Sequence, residues 1–497
     1  MPVSDLQAGS RDLSLQLDRL RAALRRFHEL YGAGEVSALR APARINIIGE
    51  HVDYVDYLPT ASLPFGSDEH EMLMLFRATE DGQVHGASMN EKFQPFSFAL
   101  DEEAVEGQSK QSLVKQSWES FVFSRPAPTP HWSNYVKGAV HFARWKFGAS
   151  VGRGLRFLVD STIPPKSGAS SSSALVSLSG AAIRHVNQID FELEALARDS
   201  SQAEWYLGTR GGALDHTAIC LARRGHAVHI SHRDGEVELI PLPDEDFRWI
   251  TFFTHEADKG RDVMLEYNER AAVSRLLIPA AIDDLKRSYP SFDQAWAEAL
   301  FKMKRDVSAA CDEIEALLGL IPDALTLGGF ALLFPTTFRE CEMTFPALAR
   351  DRRDRPLKLR DRALHHLGEM RRVTQAVALL KDASGDAQIE PAMRTLGKLI
   401  NESHESLRDL YEVSTPEVER LIEVVRADPG TYGARLMGGG FGGNVLVLTT
   451  AENTQALIER AQAEFYGPRG RDGMSEGSVM ISTPGDGLAT LDMDGIF

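Results

Sequence analysis

The 497 residues carry 54 Lys and Arg against 71 Asp and Glu, a formal charge of −17, with 43% hydrophobic and 25% charged residues. That balance excludes a broad nucleic-acid footprint or an anionic membrane surface as partner, and it describes a globular chain long enough for two packed domains. Three cysteines at no metal-ligand spacing, Cys220, Cys311 and Cys341, exclude a disulfide framework and a zinc site, and the lack of an apolar leader or membrane-length run predicts a cytoplasmic protein.

Leu13, Leu17, Leu20, Leu24 and Phe27 recur at three- and four-residue spacing, which predicts an amphipathic helix over 13–31. A β-prone run through Ile45, Ile47 and Ile48 then stops at Gly49 and is followed by Glu50, His51 and Asp53, so polar groups cluster at a strand's end. They offer acceptors and a donor to a polyhydroxylated ligand, although the motif taken alone favours turn-capping carboxylates beside a surface histidine. Phe157 and Val159 predict a strand over 155–161, Pro164 and Pro165 break it, and a helix follows to about Val186. Its opening, SGASSSSALVS at 167–177, is no linker, because the residues after the serines are apolar at helical spacing. It contains no G-x-S-x-G elbow, and no Walker A sequence occurs in the chain. Small residues at a helix N-terminus can cradle phosphate through free backbone N–H groups, and simple N-capping by serine fits as well.

Further on, AEWYLGTRGGALDH places Glu204 near a helix end and Asp215 just past Gly211 and Gly212. One carboxylate suits Mg²⁺ and the other a substrate proton. HAVHISHRDGEVELIPL predicts a hairpin around Asp234 and Gly235, and RWITFFTH another strand. From 280 to 426 the pattern is helical, with an irregular interruption at 321–356 that includes the basic stretch ARDRRDRPLKLRDR, read as a solvated helix face. GGGFGG at 438–443 fits G-x-G-x-x-G through Gly438, Gly440 and Gly443, but a strand follows where a dinucleotide fingerprint needs a helix. The run instead permits close backbone approach, to a ligand or to another loop. A helix over ENTQALIERAQAEFY and a strand in GSVMISTP complete a pattern that mixes helices with antiparallel sheet, with neither internal repeat nor linker.

PARINIIGEHVDY, IPPKSGASSSSAL and ARLMGGGFGGNVLVL, with HWSNYVKGAV, LEYNERAA, RALHHLGEMRRV and NESHESLRDLYEVSTPEVERL in order among them, resemble segments of the galactokinase branch of the GHMP small-molecule kinases. The likeness runs from about residue 38 to 487. It implies an α+β, two-domain GHMP kinase fold: a mixed-sheet N-terminal domain over 1–232, an α+β C-terminal domain over 233–497, and an active site in the cleft between them. It further implies ATP-dependent phosphorylation of a monosaccharide at the anomeric C1 hydroxyl, with Mg²⁺ accompanying ATP, by a monomer or weak homodimer. Asp215 would then accept the hydroxyl proton, with Arg44 between it and the γ-phosphate. Ser167, Gly168, Ala169, Ser170, Ser171, Ser172 and Ser173 would wrap the phosphates, and Ser172 and Glu204 would hold Mg²⁺. Glu50, His51, Asp53, Gly212 and Tyr267 would bind the sugar, Tyr267 having a half-buried core tyrosine as its other reading. Gly438, Gly439, Gly440, Gly442 and Gly443 would close over the site, or else pack tightly between domains.

The chain departs from that family after GEHVDY, where VDYLPTASLP is shorter and lacks the family's glycines, and at Ser173, which stands where alanine is usual. Extra residues lie around 285–356. A uronate would meet like charge at Glu50, and a pentopyranose would leave Glu50 and His51 unpaired. Galactose is therefore the expected substrate, ahead of N-acetylgalactosamine, arabinose or galacturonate. A galactokinase-like sugar sensor is disfavoured by intact Ser172, Glu204, Asp215 and Arg44, and a mevalonate- or homoserine-type kinase has no need of GEHVDY.

Overall fold

The β-prone run before Gly49 lies in a ten-residue strand, Ser37–Asn46, inside a seven-stranded sheet of the computed structural model. The structure describes residues 13–102, 117–123, 125, 127–164, 168–208, 211–255, 261–323, 325–383, 386–469 and 478–493. Across the sheet the order is Ala489–Leu491, Ser37–Asn46, Pro64–Thr79, Gly154–Ser161, Gln83–Ser88 and Phe96–Ala99, with Pro484–Gly485 also pairing Pro64–Thr79. Only Gln83–Ser88 and Gly154–Ser161 run parallel; the other pairs are antiparallel.

Alternate side chains of Ser37–Asn46 serve two cores, as a strand's two-residue period requires. Ala38 joins Leu20, Leu24 and Phe27 of the predicted first helix, Leu13–Tyr31, whereas Leu39, Ala41, Ala43 and Ile45 join Ala174, Leu178, Ala181 and Ala182. The latter belong to the helix opened by the serines, Ser171–Val186. Alanines on both partners bring helix and strand close, and the Arg44 N–H donates to the Ala169 carbonyl at 3.2 Å.

A second, four-stranded antiparallel sheet has the order Thr431–Met437, Asn444–Thr450, Phe247–Phe253, Val479–Ser482. The hairpin around Asp234 and Gly235 is formed by His226–Ser231 and Val237–Pro241, which with Ala61–Ser62 make a three-stranded sheet. The C-terminal segment crosses back: Ala489–Leu491 pairs with Ala38, Leu39 and Arg40.

The stretch 321–356 is more regular than its prolines suggested. It contains the short helices Leu327–Leu333, Pro335–Thr344 and Pro346–Asp351, and two of them begin with proline, where the missing N–H has no intrahelical partner to lose. Their Phe330, Phe338 and Leu348 share one apolar cluster with Trp296, Ile314, Tyr54, Val55 and Leu58, so the extra residues and the shortened loop after GEHVDY build a common core.

The basic stretch is not a solvated helix face. It is helical only at its two ends, in Pro346–Asp351 and from Leu359, and its side chains are paired across elements: Arg352 with Asp262 at 3.2 Å, Arg355 with Glu269 at 3.2 Å and Arg362 with Glu412 at 2.7 Å. Their carboxylate partners lie far along the chain, which is why local charge patterning gave the wrong surroundings. All three cysteines are free and buried. Among the described residues no helix is long and apolar enough to cross a membrane.

Candidate active site

Five separated stretches meet in one polar cavity, which is lined by Arg44, Glu50, His51 and Asp53, by Ser172 and Ser173, by Glu204, Gly212 and Asp215, by Tyr267, and by Gly438 and Gly439. The seven-stranded sheet supplies Arg44 near a strand end, and the helix Ser171–Val186 supplies the serines in its first turn. Asp215 lies in the first turn of the helix Leu214–Leu221, and the two glycines follow the strand Thr431–Met437.

Arg44 Nε donates to Asp215 Oδ1 at 2.7 Å, with Arg44 almost wholly buried. Burial works to raise the Asp215 carboxyl, and the Arg44 guanidinium outweighs it, leaving Asp215 below the ordinary carboxylate range with help from the Ser170 hydroxyl. Arg44 Nη1 is buried without a protein partner among the described residues, a donor left for a ligand.

The GEHVDY turn is fixed from behind. Asn46 Nδ2 donates to Glu50 Oε2 at 3.0 Å and Arg435 donates to the same oxygen, while the N–H groups of Gly49 and Glu50 donate to Glu369 Oε2 at 2.9 and 3.3 Å. Burial would raise Glu369, but Arg372 beside it brings the group down to about 2, so it stays an acceptor. His51 has a φ of 58°, a left-handed conformation uncommon for a residue with a side chain. Burial lowers its imidazole to about 4, keeping it neutral, and its Nε2 is buried without a protein partner. Burial, with Asp215 adding to it, raises Asp53 to about 6. A Cβ on Gly212 would lie 2.3 Å from the Asp53 carbonyl oxygen, so only glycine permits this approach.

Glu204 lines the same cavity as Ser172, and its Oε2 accepts from Ser173 Oγ at 3.0 Å and lies 3.0 Å from His216 Nε2. Ser170 precedes the helix with φ 60°, and no helix N–H bonds to its side chain, so side-chain capping is not its use. Ser172 and Ser173 line the cavity; Gly168, Ala169, Ser170 and Ser171 are not among its lining residues, and Ser167 lies outside the described residues. Gly168 instead approaches the glycine run, where a Cβ on Gly438 would lie 3.4 Å from the Gly168 carbonyl oxygen.

The glycine run divides between its two readings. Gly438 and Gly439 face the cavity, and Gly439 lies against the Tyr267 ring. Gly440 packs on Val413 so tightly that a Cβ would come within 2.5 Å, and Gly442 and Gly443 lie against His255. Tyr267, on the helix Arg261–Ala272, has its ring 6.1 Å from that of His51. Arg435, Glu369 and His216 were missed from the sequence. The available signal was an arginine in an otherwise apolar strand and a glutamate on the buried face of a helix.

Three family descriptions match the chain: "GHMP kinases N terminal domain" over residues 134–223, "GHMP kinases C terminal" over 386–467, and "Galactokinase galactose-binding signature" over 25–61. The galactokinase of Homo sapiens is 29% identical over 458 residues, covering 90% of this chain and 92% of its own length. That of Saccharomyces cerevisiae is 25% identical over 544 residues, covering 99% and 98%. Among solved structures, Lactococcus lactis galactokinase complexed with galactose is similar in fold, with a TM-score of 0.64 at 24% identity over 95% of this chain and 99% of that one. A mevalonate kinase shares the fold more distantly, with a TM-score of 0.51 at 12% identity.

Proposed function

We propose, since this chain belongs to the galactokinase family of the GHMP kinases, that it transfers the γ-phosphoryl group of ATP to the anomeric C1 hydroxyl of galactose. The observation that carries this reading is the ion pair of buried Arg44 with half-buried Asp215, opening into the same cavity as Glu50, His51 and Asp53. Phosphoryl transfer through a loose transition state asks the protein mainly for positioning and charge neutralisation. Asp215, held ionised by Arg44, accepts the C1 hydroxyl proton late, as the oxygen bonds to phosphorus. Arg44 keeps the carboxylate aimed and offsets charge on the moving group. Gly168, Ala169, Ser170, Ser171, Ser172 and Ser173 offer amides and hydroxyls at a helix N-terminus to the ATP phosphates.

The Ser172 hydroxyl and Glu204 carboxylate, two hard oxygen donors on one cavity, would hold Mg²⁺. When bound, that ion would neutralise phosphate charge. Glu50, His51, Asp53, Gly212 and Tyr267 bind the sugar, and Gly438 and Gly439 border it. Glu50, Asp53, Glu204 and Asp215 line a cavity whose only lining arginine among the described residues is Arg44, which supports a neutral sugar over a uronate. We also read the chain as divided at 232/233 and as acting in the cytoplasm as a monomer or weak homodimer.

The test is ADP release by purified protein with Mg-ATP and galactose, N-acetylgalactosamine, arabinose, galacturonate or glucose. The expected result is the highest kcat/KM with galactose. Highest turnover with galacturonate would move the substrate assignment, and no turnover with any sugar would favour a sensor.

The serines make a finer prediction. Ser172→Ala is expected to lower kcat at least about a hundredfold, through loss of a metal ligand. Ser173→Ala loses only the hydrogen bond that steadies Glu204, and kcat should fall less than about tenfold. Kinetics across a Mg²⁺ titration would distinguish them, and equal losses would put the loop out of register.

A further inference from the structure

His51 is the first member of a buried chain of hydrogen-bonding groups that runs away from the cavity. Its Nδ1 lies 3.0 Å from the Tyr54 hydroxyl, which is 2.8 Å from the Tyr411 hydroxyl. Tyr411 is in turn 3.1 Å from Ser274 Oγ, and Ser274 is 3.1 Å from His366 Nε2. His366 Nδ1 ends the chain at the hydroxyl of Tyr57, 2.5 Å away. Tyr411, Ser274 and His366 are fully buried, and Tyr54 is 5% exposed. At the near end, His51 Nε2 has no partner among the described residues.

Each hydroxyl in such a chain has one proton to give, and each neutral imidazole donates from one nitrogen and accepts at the other. Burial holds both histidines neutral. Only two arrangements therefore satisfy every link without leaving a hydroxyl in the middle of the chain as a double acceptor whose own proton has no partner among the described residues. In one, Tyr57 donates to His366 Nδ1, His366 Nε2–H to Ser274, Ser274 to Tyr411, Tyr411 to Tyr54 and Tyr54 to His51 Nδ1. Both histidines then carry their proton on Nε2, and His51 presents an N–H to the cavity. The reverse arrangement puts both protons on Nδ1, presents a lone pair to the cavity, and leaves the Tyr57 hydroxyl proton with no acceptor among the described residues.

Two observations select the first. It uses the Tyr57 proton, and it turns the positive end of the chain toward a cavity lined by Glu50, Asp53 and Asp215. We infer that Tyr54, Tyr411, Ser274, His366 and Tyr57 are positioning residues that fix His51 as the Nε2–H tautomer, making it an obligate hydrogen-bond donor to one sugar hydroxyl oxygen. Carboxylates can only accept, so a hydroxyl that gives its proton to Glu50 or Asp53 needs a donor for its own oxygen, and His51 is that donor. One mixed pair of tautomers leaves a link without a proton, and the other strands the buried hydroxyl proton of Ser274, Tyr411 or Tyr54 without a partner among the described residues, so agreement of His51 and His366 is favoured.

The experiment is a long-range ¹H–¹⁵N spectrum of the full-length protein labelled with ¹⁵N-histidine, recorded without sugar. The signals are assigned by the disappearance of one set in His51→Gln and of another in His366→Gln. Both residues should show a protonated Nε2 and an unprotonated Nδ1. In Tyr54→Phe the two His51 nitrogen signals should move toward each other as the tautomers mix. KM for galactose in that variant should rise about tenfold with kcat changed less than about threefold, the pattern of lost ground-state binding. A protonated Nδ1 at His51 or His366 in the unmutated protein would overturn the inference, and so would an unchanged His51 spectrum in Tyr54→Phe. If that variant does not fold, the spectrum of the unmutated protein still decides. The ligand here is taken from the sugar-kinase reading, whereas the tautomer is read on sugar-free protein. A chain that phosphorylates no sugar would therefore still show Nε2–H at His51.

Discussion

Asp215→Asn is expected to lower kcat by about 10²–10⁴-fold, the span that removing a positioned general base covers, while KM for the sugar moves far less. Asparagine keeps the shape and retains an oxygen to accept from Arg44 Nε, now 2.7 Å from Asp215 Oδ1, so the guanidinium stays in place. What disappears is the proton acceptor and the negative charge that offsets a buried arginine. Because the Arg44 guanidinium holds Asp215 below the ordinary carboxylate range, the native enzyme should show no loss of base as pH falls from 8 to 6. The variant should also show no recovery as pH rises to 9. Steady-state rates of ADP formation across that range measure both. A kcat within tenfold of the native enzyme would remove Asp215 from the proton transfer and leave positioning alone to account for the rate.

The second large effect is on stability. Arg435 is fully buried and donates to the Asn46 carbonyl at 2.9 Å, to Ser403 Oγ at 3.3 Å and to Glu50. Arg435→Met fills most of the volume but leaves the Glu50 carboxylate buried with Asn46 as its remaining side-chain partner. Breaking one member of a buried ion pair costs about 3–5 kcal/mol, and the urea-unfolding midpoint should fall accordingly. Adding Glu50→Gln should restore part of that loss by removing the stranded charge, without restoring sugar affinity. A single variant that unfolds within about 1 kcal/mol of the native protein would mean that water reaches Glu50 and that the pair contributes like a surface pair.

The periodic elements were legible because a helix or strand with one buried face repeats its apolar residues at a fixed spacing. The helix Leu13–Tyr31 and the strand Gly154–Ser161 follow from that rule, and the hairpin around Gly235 from its Asp-Gly turn between β-prone runs. Motif residues such as Glu50, Ser172, Asp215 and Gly438 were legible because each stands beside a glycine or a helix start, where chain geometry and chemistry coincide. Arg435 and Glu369 carry no such local mark. Their meaning lies in partners reached only through the fold, Glu50 being 385 positions from Arg435 and 319 from the glutamate that holds its N–H. The basic stretch failed for the same reason in reverse, since Glu266, Glu269 and Glu412 neutralise it from other helices and loops. Proline, taken as an interruption at 321–356, was a starting residue for helices too short to show a period.

The strand that carries Arg44 is also bordered by Ala489–Leu491, and Arg40 on it donates to the Asp486 carbonyl at 3.1 Å. During synthesis, then, the first half of the chain emerges from the ribosome with one side of its central sheet uncovered. N-terminal domains usually fold as they emerge, but this sheet can finish only after residue 491 has been made. The pairing of Ala38, Leu39 and Arg40 with Ala489–Leu491 is therefore among the last to form, and a sheet edge that waits for its partner is one that another chain can pair with.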